Sequence, residues 1–334
     1  MASDTRRPLV SIVSVFHNRV GLVDQCVRSL LEQDYSPLEI VIYDDGSTDG
    51  TAEALTAYAD PRLKIVKQPN AGFTVTVNRA IRGAAGEVIA LHGSGDIALP
   101  RRISAQVDAL LGGDDIGLVG CLTDRSDGRA GPPPKITRQL HGNIHRKALS
   151  GPMPFTHGAA MFRKEVFERI GGYREFFQLA QGRDLYLRMP AHLNYVVVPE
   201  TLYIKIKPPG SISTDARKLI LQRYLTEFSV QCAQARDRGE DDPLEKFGPL
   251  AGFQRAKSKA VAIPLQAEGV RWLTFGDEAG GRMLIDAAAE EGLTMKTAMG
   301  RLLVEVSRRP KLWRLVRPAI RRLYARRAAS GDAN

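Results

Sequence analysis

The chain has 334 residues, 43% of them hydrophobic, and a formal net charge of +10. That length suits one large α/β domain with an appendage, or two modest domains, and no apolar run reaches the ~18 residues of a membrane-spanning helix. From Ser307 onward nine Arg or Lys residues face Asp332 alone, so the tail carries +8 of the charge. The rest is nearly balanced, which excludes a general polyanion binder, and no nucleic acid partner is expected.

In chain order, MASDTRRPLV leads straight into a strand pattern without the apolar core of a signal peptide. Cys26, Cys121 and Cys232 are far apart, without CxxC or histidine clusters, so reduced thiols and a cytoplasmic protein are expected. Leu9–Phe16 is a continuous apolar strand, and Leu22–Leu31 repeats apolar residues at helical spacing. Leu38–Tyr43 reads as a second buried strand ending at Asp44-Asp45-Gly46-Ser47-Thr48-Asp49-Gly50, where Ser47 or Asp49 can cap a helix through Ala52–Tyr58. Strands Leu63–Lys67 and Val88–Leu91 enclose a helix over Phe73–Ala84. Gly93, Ser94, Gly95 and Asp96 follow, and Pro100 opens a helical pattern at Arg101–Leu111. Alternating strands and helices predict a doubly wound, mostly parallel α/β sheet with ligands at its carboxyl edge.

Ile116–Leu122 is a further strand, and Asp124–Pro134 is rich in loop-forming residues. A strand over Ala159–Phe162, helices over Glu165–Ile170 and Arg183–Met189, and strands over Tyr195–Val198 and Leu202–Lys207 come next. Pro208-Pro209-Gly210 breaks the pattern, and beyond Asp215 the chain reads as almost wholly helical. Domains of 1–215 and 216–334 follow. The last stretch, 307–327, sets Leu312, Trp313, Val316, Ile320, Leu323 and Tyr324 at helical spacing among arginines, with Pro318 expected to kink or restart the helix. Such a basic amphipathic segment suits an anionic membrane surface and a peripheral position at the inner face of the membrane. The alternative is a helix that packs its apolar face on the main domain.

VSIVSVFHNR, DDGSTDGT, NAGFTVTVNRAIRGAAGEVIA, the DIALP frame, HGAAMFRKEVFERIGGY, RDLYLR and VVPETLYIK occur in that order. Together they resemble the family-2 nucleotide-sugar glycosyltransferases with the A-type fold, over roughly residues 8–215. The resemblance implies inverting transfer of a sugar from a nucleoside-diphosphate donor, a UDP-sugar foremost, to a saccharide or lipid-linked acceptor in envelope or extracellular polysaccharide synthesis. It places the donor at His17, Asn18, Asp45, Asn70, Arg79, Ser94 and Asp96. The alternatives are a surface turn residue for His17, a turn cap for Asp45 and an exposed helix arginine for Arg79. Asp44 and Asp49 suit capping better, which favours Asp45 as a ligand. Asp45→Ala is therefore expected to weaken nucleotide binding and to leave the melting temperature nearly unchanged.

The departures from the family pattern fall together. Its metal-binding Asp-x-Asp positions are Gly93 and Gly95, its base position is Gly182, and its late histidine position is Pro208. One reading is an enzyme that works without a divalent metal, Mn or Mg being disfavoured. Arg183, Lys205 and Lys207 would then hold the diphosphate, with Asp184 or Asp96 as base. The other reading is an inactive domain that binds nucleotide or sugar as a scaffold. Lys205 and Lys207 could also be solubilising lysines of an edge strand, and Asp184 could cap its helix or pair with Arg183 or Arg188. A dinucleotide oxidoreductase is excluded, since the first turn reads His17-Asn18-Arg19-Val20-Gly21 instead of GxGxxG.

Overall fold

The run VSIVSVF is buried at all seven positions and forms strand β1 (Val10–Phe16), which is hydrogen-bonded to a parallel neighbour on each side. The structure is a computed structural model that describes residues 7–125, 140–206, 214–292 and 294–329. These fall into two compact units, Met1–Lys207 and Pro208–Asn334.

In the first unit, β2 (Leu38–Asp45), β3 (Leu63–Gln68) and β4 (Val88–Gly93) complete a parallel set in the order β3-β2-β1-β4. Apolar runs buried on both faces suit such a set. The sheet continues through β8 (Met161–Arg163), β6 (Ile116–Arg125), β9 (Asn194–Lys205) and β5 (Ile97–Ala98), with β7 (Leu140–Asn143) also on β9. Here β8 is antiparallel to both its neighbours, while β6 and β9 run parallel. The result is the expected α/β architecture, with a mixed outer half.

Helices α1 (Val23–Leu31), α2 (Thr51–Thr56), α3 (Phe73–Gly83) and α4 (Arg102–Leu110) follow the first strands. Val23, Cys26, Val27 and Leu30 of α1 join Val10, Ile12, Ile40, Val88 and Ile103 in one core. Shorter helices α5 (Ile144–Ser150), α6 (Lys164–Arg169) and α7 (Gln181–Arg188) complete this unit.

Two expectations change. The separate strands at 195–198 and 202–207 are one strand, β9, because Pro199 and Glu200 bulge out of the pairing with β6: Val198 faces Cys121 and Thr201 faces Leu122. The strand at 159–162 starts later, since His157–Ala159 form a 3-10 turn. Most of the loop expected at 124–134 lies outside the described residues.

The second unit is helical: α8 (Ala216–Asp237), α9 (Pro243–Phe247), α10 (Lys259–Phe275), α11 (Glu278–Glu290), α12 (Met295–Ser307) and α13 (Pro310–Ala329). Asp215 and Ser258 cap α8 and α10 through their side-chain oxygens. Part of the apolar face expected on a membrane packs within the helical unit instead, while Leu312 and Leu323 of that face stay exposed. Trp313 is buried against Leu273, Ile285 and Val304, with Val316 and Ile320 beside it. Tyr324 meets Phe275 edge to face. α13 runs through Pro318 as one helix. No helix among the described residues is long and apolar enough to cross a membrane. All three cysteines are buried and none forms a disulfide among the described residues.

Candidate active site

The carboxyl ends of β1 and β2 bring together four of the residues expected at the donor. His17 Nδ1 lies 3.0 Å from the Asp45 carbonyl oxygen and 3.1 Å from Asn70 Nδ2. Asn18, at the positive φ of 50°, accepts the Thr48 amide at 2.8 Å, and its own amide donates to Ser47 Oγ. Gly46 makes this closure possible, because a β-carbon there would stand 2.6 Å from the Asn70 nitrogen.

Asp45 behaves differently from expectation. Its carboxylate accepts from Gln68, the Ala71 amide and Thr76 on one oxygen and from the Gly72 amide on the other. Burial works to raise this carboxyl, but those donors outweigh it and hold it below the usual range. Asp45 is thus the clasp of the 70–72 loop, and its removal cannot leave stability unchanged. Gln68 also accepts from Arg79 at 3.2 Å, so Arg79 stands at the rim of the same cluster. The spare buried oxygen belongs to Asp44: its Oδ2 accepts the Ser47 amide, while Oδ1 has no partner among the described residues.

At the end of β4, Ser94 is half-buried and Asp96 is buried. Asp96 accepts the Tyr203 hydroxyl at 2.6 Å and the Ile206 amide at 2.8 Å. Burial raises its carboxyl, opposed by those bonds and by the charges of Lys205 and Arg102. Beneath this loop Arg102 is fully buried and donates to Gln106, His92 and the Leu91 and Gly158 carbonyls, with its guanidinium 4.9 Å from the Tyr203 ring centre. His92 is pushed down to about 3 by burial and by Arg102. A buried cation with no carboxylate in hydrogen-bond contact among the described residues, and with Asp96 close enough to feel its charge, therefore underlies the loop.

The expected base Asp184 is placed away from any open surface. Asp184 is fully buried and both its oxygens are held by Arg174 and Arg188. A base must reach an acceptor hydroxyl, so Asp184 is a structural anchor, and the expectation of a base there is withdrawn. Arg183 donates to the Gly151 carbonyl. At the vacant base position, a β-carbon on Gly182 would lie 2.5 Å from Nδ1 of His157. His157 occupies that space, with Nδ1 2.8 Å from the Tyr186 hydroxyl and Nε2 3.1 Å from that of Tyr173. Burial, then the nearby Lys205 charge, lowers His157 to about 4, so its ring is neutral at pH 7. Lys205 is exposed on β9 and acts on both Asp96 and His157. Lys207 and Pro208 lie outside the described residues. Nothing in the sequence beyond the quoted HGAAMF stretch marks His157.

A divalent metal fits this donor set poorly. A β-carbon at residue 93 would stand 2.3 Å from Asp96 Oδ2, and one at residue 95 would stand 2.5 Å from Leu22. Both Asp96 oxygens are already engaged, and no group of three or more His, Cys, Asp or Glu among the described residues could hold a metal.

Residues 11–171 match the family model described as glycosyl transferase family 2. The chain carries a family-2 glycosyltransferase domain. The chain is 26% identical over 235 residues to "Uncharacterized glycosyltransferase EpsJ" of Bacillus subtilis, a match covering 65% of this chain and 67% of that one. It is 29% identical over 228 residues to chondroitin synthase of Escherichia coli, covering 65% of this chain and 31% of the synthase. Among solved structures, S. aureus TarS 1-349 in complex with UDP superposes with a TM-score of 0.53 at 16% identity, covering 90% of this chain and 91% of that one. The mannosyltransferase PcManGT from Pyrobaculum calidifontis, in complex with GDP-Man and Mn2+, gives 0.53 at 21% identity, covering 96% and 88%. At these identities the shared property is the A-type glycosyltransferase fold.

Proposed function

We propose that the chain transfers a sugar, with inversion, from a nucleoside-diphosphate donor to a saccharide or lipid-linked acceptor, and does so without a carboxylate-held metal. The observation that carries this reading is the convergence of His17, Asn18, Asn70 and the Asp45 clasp at one sheet edge, the edge where ligands of parallel sheets bind. UDP in TarS supports a UDP-sugar as donor, with a GDP-sugar the second choice from PcManGT. The name of chondroitin synthase supports a polysaccharide acceptor.

In this account His17 stacks on the base, Asn18 and Asn70 bind the nucleoside, and Asp45 shapes their loop. Arg79 lies toward the donor at the rim. Ser94 and the Gly93–Gly95 backbone face the diphosphate, with Asp96 holding Tyr203 and the β9 end in place. The acceptor oxygen attacks the anomeric carbon while the bond to the diphosphate oxygen breaks. The electron pair leaves with the diphosphate, and the acceptor proton passes to neutral His157 at Nε2, displacing the longer contact to Tyr173. Lys205 meets the growing charge, assisted from below by the buried Arg102. A position at an anionic membrane is part of the proposal for residues 216–334.

The test is a calorimetric titration with UDP, GDP and their sugars, followed by turnover with the donor that binds. Saturable binding lost in Asn70→Ala, with sugar transfer, supports the reading. Binding without turnover for any donor favours a binding domain, and no nucleotide binding contradicts both.

A further inference from the structure

The helical unit holds a second concave site, unrelated to the chemistry above. A cleft of about 450 Å³ lies between α11, the end of α12 and the start of α13, and four of its lining residues are Arg282, Arg308, Arg314 and Arg317. Glu278 is its one acidic lining residue. That carboxylate is shared: it accepts from Trp313 Nε1 and Arg317 at 3.1 Å and from Arg282 at 3.4 Å. Four guanidinium groups against Glu278 in the wall and Glu305 at the edge leave the cleft positive.

The cations are within reach of a ligand. Side-chain exposure is 32% for Arg282, 28% for Arg317 and 56% for Arg308. The Arg308 bond to Glu305 is solvent-exposed and weak. Arg314 is exposed and has no hydrogen-bond or ion-pair partner among the described residues. The amino end of α13, opened by Pro310 in the cleft wall, adds the positive end of a 20-residue helix. Guanidinium forks match phosphate oxygens in geometry.

The same two helices expose apolar side chains. Met295, Met299 and Leu302 recur at i, i+4 and i+7 on α12 with 83%, 61% and 64% exposure, and Leu315 of α13 is 76% exposed. An arginine cleft on helices that present leucines and methionines to solvent matches a phosphate attached to a hydrocarbon chain.

We propose that this cleft binds a phosphate group, and that its source is the headgroup of an anionic phospholipid. The proposal rests on the membrane position proposed for residues 216–334 and gives it a site, and it does not depend on the transfer reaction. The experiment compares co-sedimentation of the full chain with phosphatidylcholine vesicles, alone or containing phosphatidylglycerol, alongside calorimetric titration with inorganic phosphate. Wild type binds the anionic vesicles, free phosphate competes, and Arg308→Gln with Arg314→Gln lowers binding roughly 30-fold, about fivefold per cation near an anionic surface. Lys257→Gln with Lys259→Gln, which removes two exposed cations elsewhere in this unit, lowers it much less. Phosphate binding without vesicle binding overturns the lipid source. Unchanged binding in the arginine variant, or equal loss in both pairs, overturns the site.

Discussion

Nδ1 of His157 stands 2.5 Å from the point that a β-carbon on Gly182 would occupy. Two tyrosine hydroxyls hold the ring from both nitrogens, so it cannot easily move aside. Gly182→Ala is expected to destabilise the protein by about 1–3 kcal/mol through overpacking. Gly21→Ala, where nothing lies within 4 Å, is the control and should change stability by less than about 0.5 kcal/mol. Urea unfolding of both variants checks this; equal stability would remove the steric account.

Asp45→Ala leaves the Ala71 and Gly72 amides, Gln68 and Thr76 without their shared acceptor. A cost of about 1–3 kcal/mol follows from orphaning buried donors. Nucleotide affinity should fall in the same variant, because Asn70 loses its support. Thermal unfolding and nucleotide titration read the two effects separately, and an unchanged melting temperature would contradict the clasp.

Asp184→Asn removes the charge that Arg174 and Arg188 share. Breaking a buried ion pair from one side costs about 3–5 kcal/mol. The loss should be one of stability, with the folded fraction keeping its transfer rate. A fully folded variant with abolished turnover would restore Asp184 as the base.

Two histidines with depressed values contribute to the acid response. His157 falls from 6.5 to about 4, and His92 falls from 6.5 to about 3. A depressed value means that folding favours the neutral ring. That stability is complete above pH 6.5 and is lost as pH falls toward 4 for His157 and toward 3 for His92. Asp96 has the opposite sign, its raised carboxyl favouring the fold at low pH, but it is a single group. Urea midpoints should therefore drop between about pH 7 and about pH 4.5, and less steeply in His157→Gln. If His157 is the base, the acid limb of kcat/KM lies near pH 4 rather than 6.5.

The parallel half of the fold was legible because its strands are continuous Val, Ile and Leu runs separated by helical periods. β9 was not, since Pro199 normally ends a strand and here sits in a bulge. The donor edge was legible as a place, yet the division of labour within Asp44-Asp45 depends on donors at 68–76 that only folding brings near. The surroundings of the expected base position were the least legible from local sequence. His157 lies 25 residues before Gly182 in sequence, and Arg174 reaches Asp184 across a turn. In the tail, helical periodicity showed an apolar face, but periodicity is the same for a face that meets lipid and one that meets α10 and α12.

The central claim is a transferase whose diphosphate charge is met by side chains in place of a carboxylate-bound metal. The direct measurement is the initial rate with the nucleotide sugar that binds, in EDTA and then with added Mn2+, for wild type and for Lys205→Ala. The account predicts turnover that survives EDTA, gains little from Mn2+ and falls on the order of 10²-fold in Lys205→Ala, the scale for removing a transition-state charge partner. Activity abolished by EDTA, restored by Mn2+ and indifferent to Lys205 would contradict it.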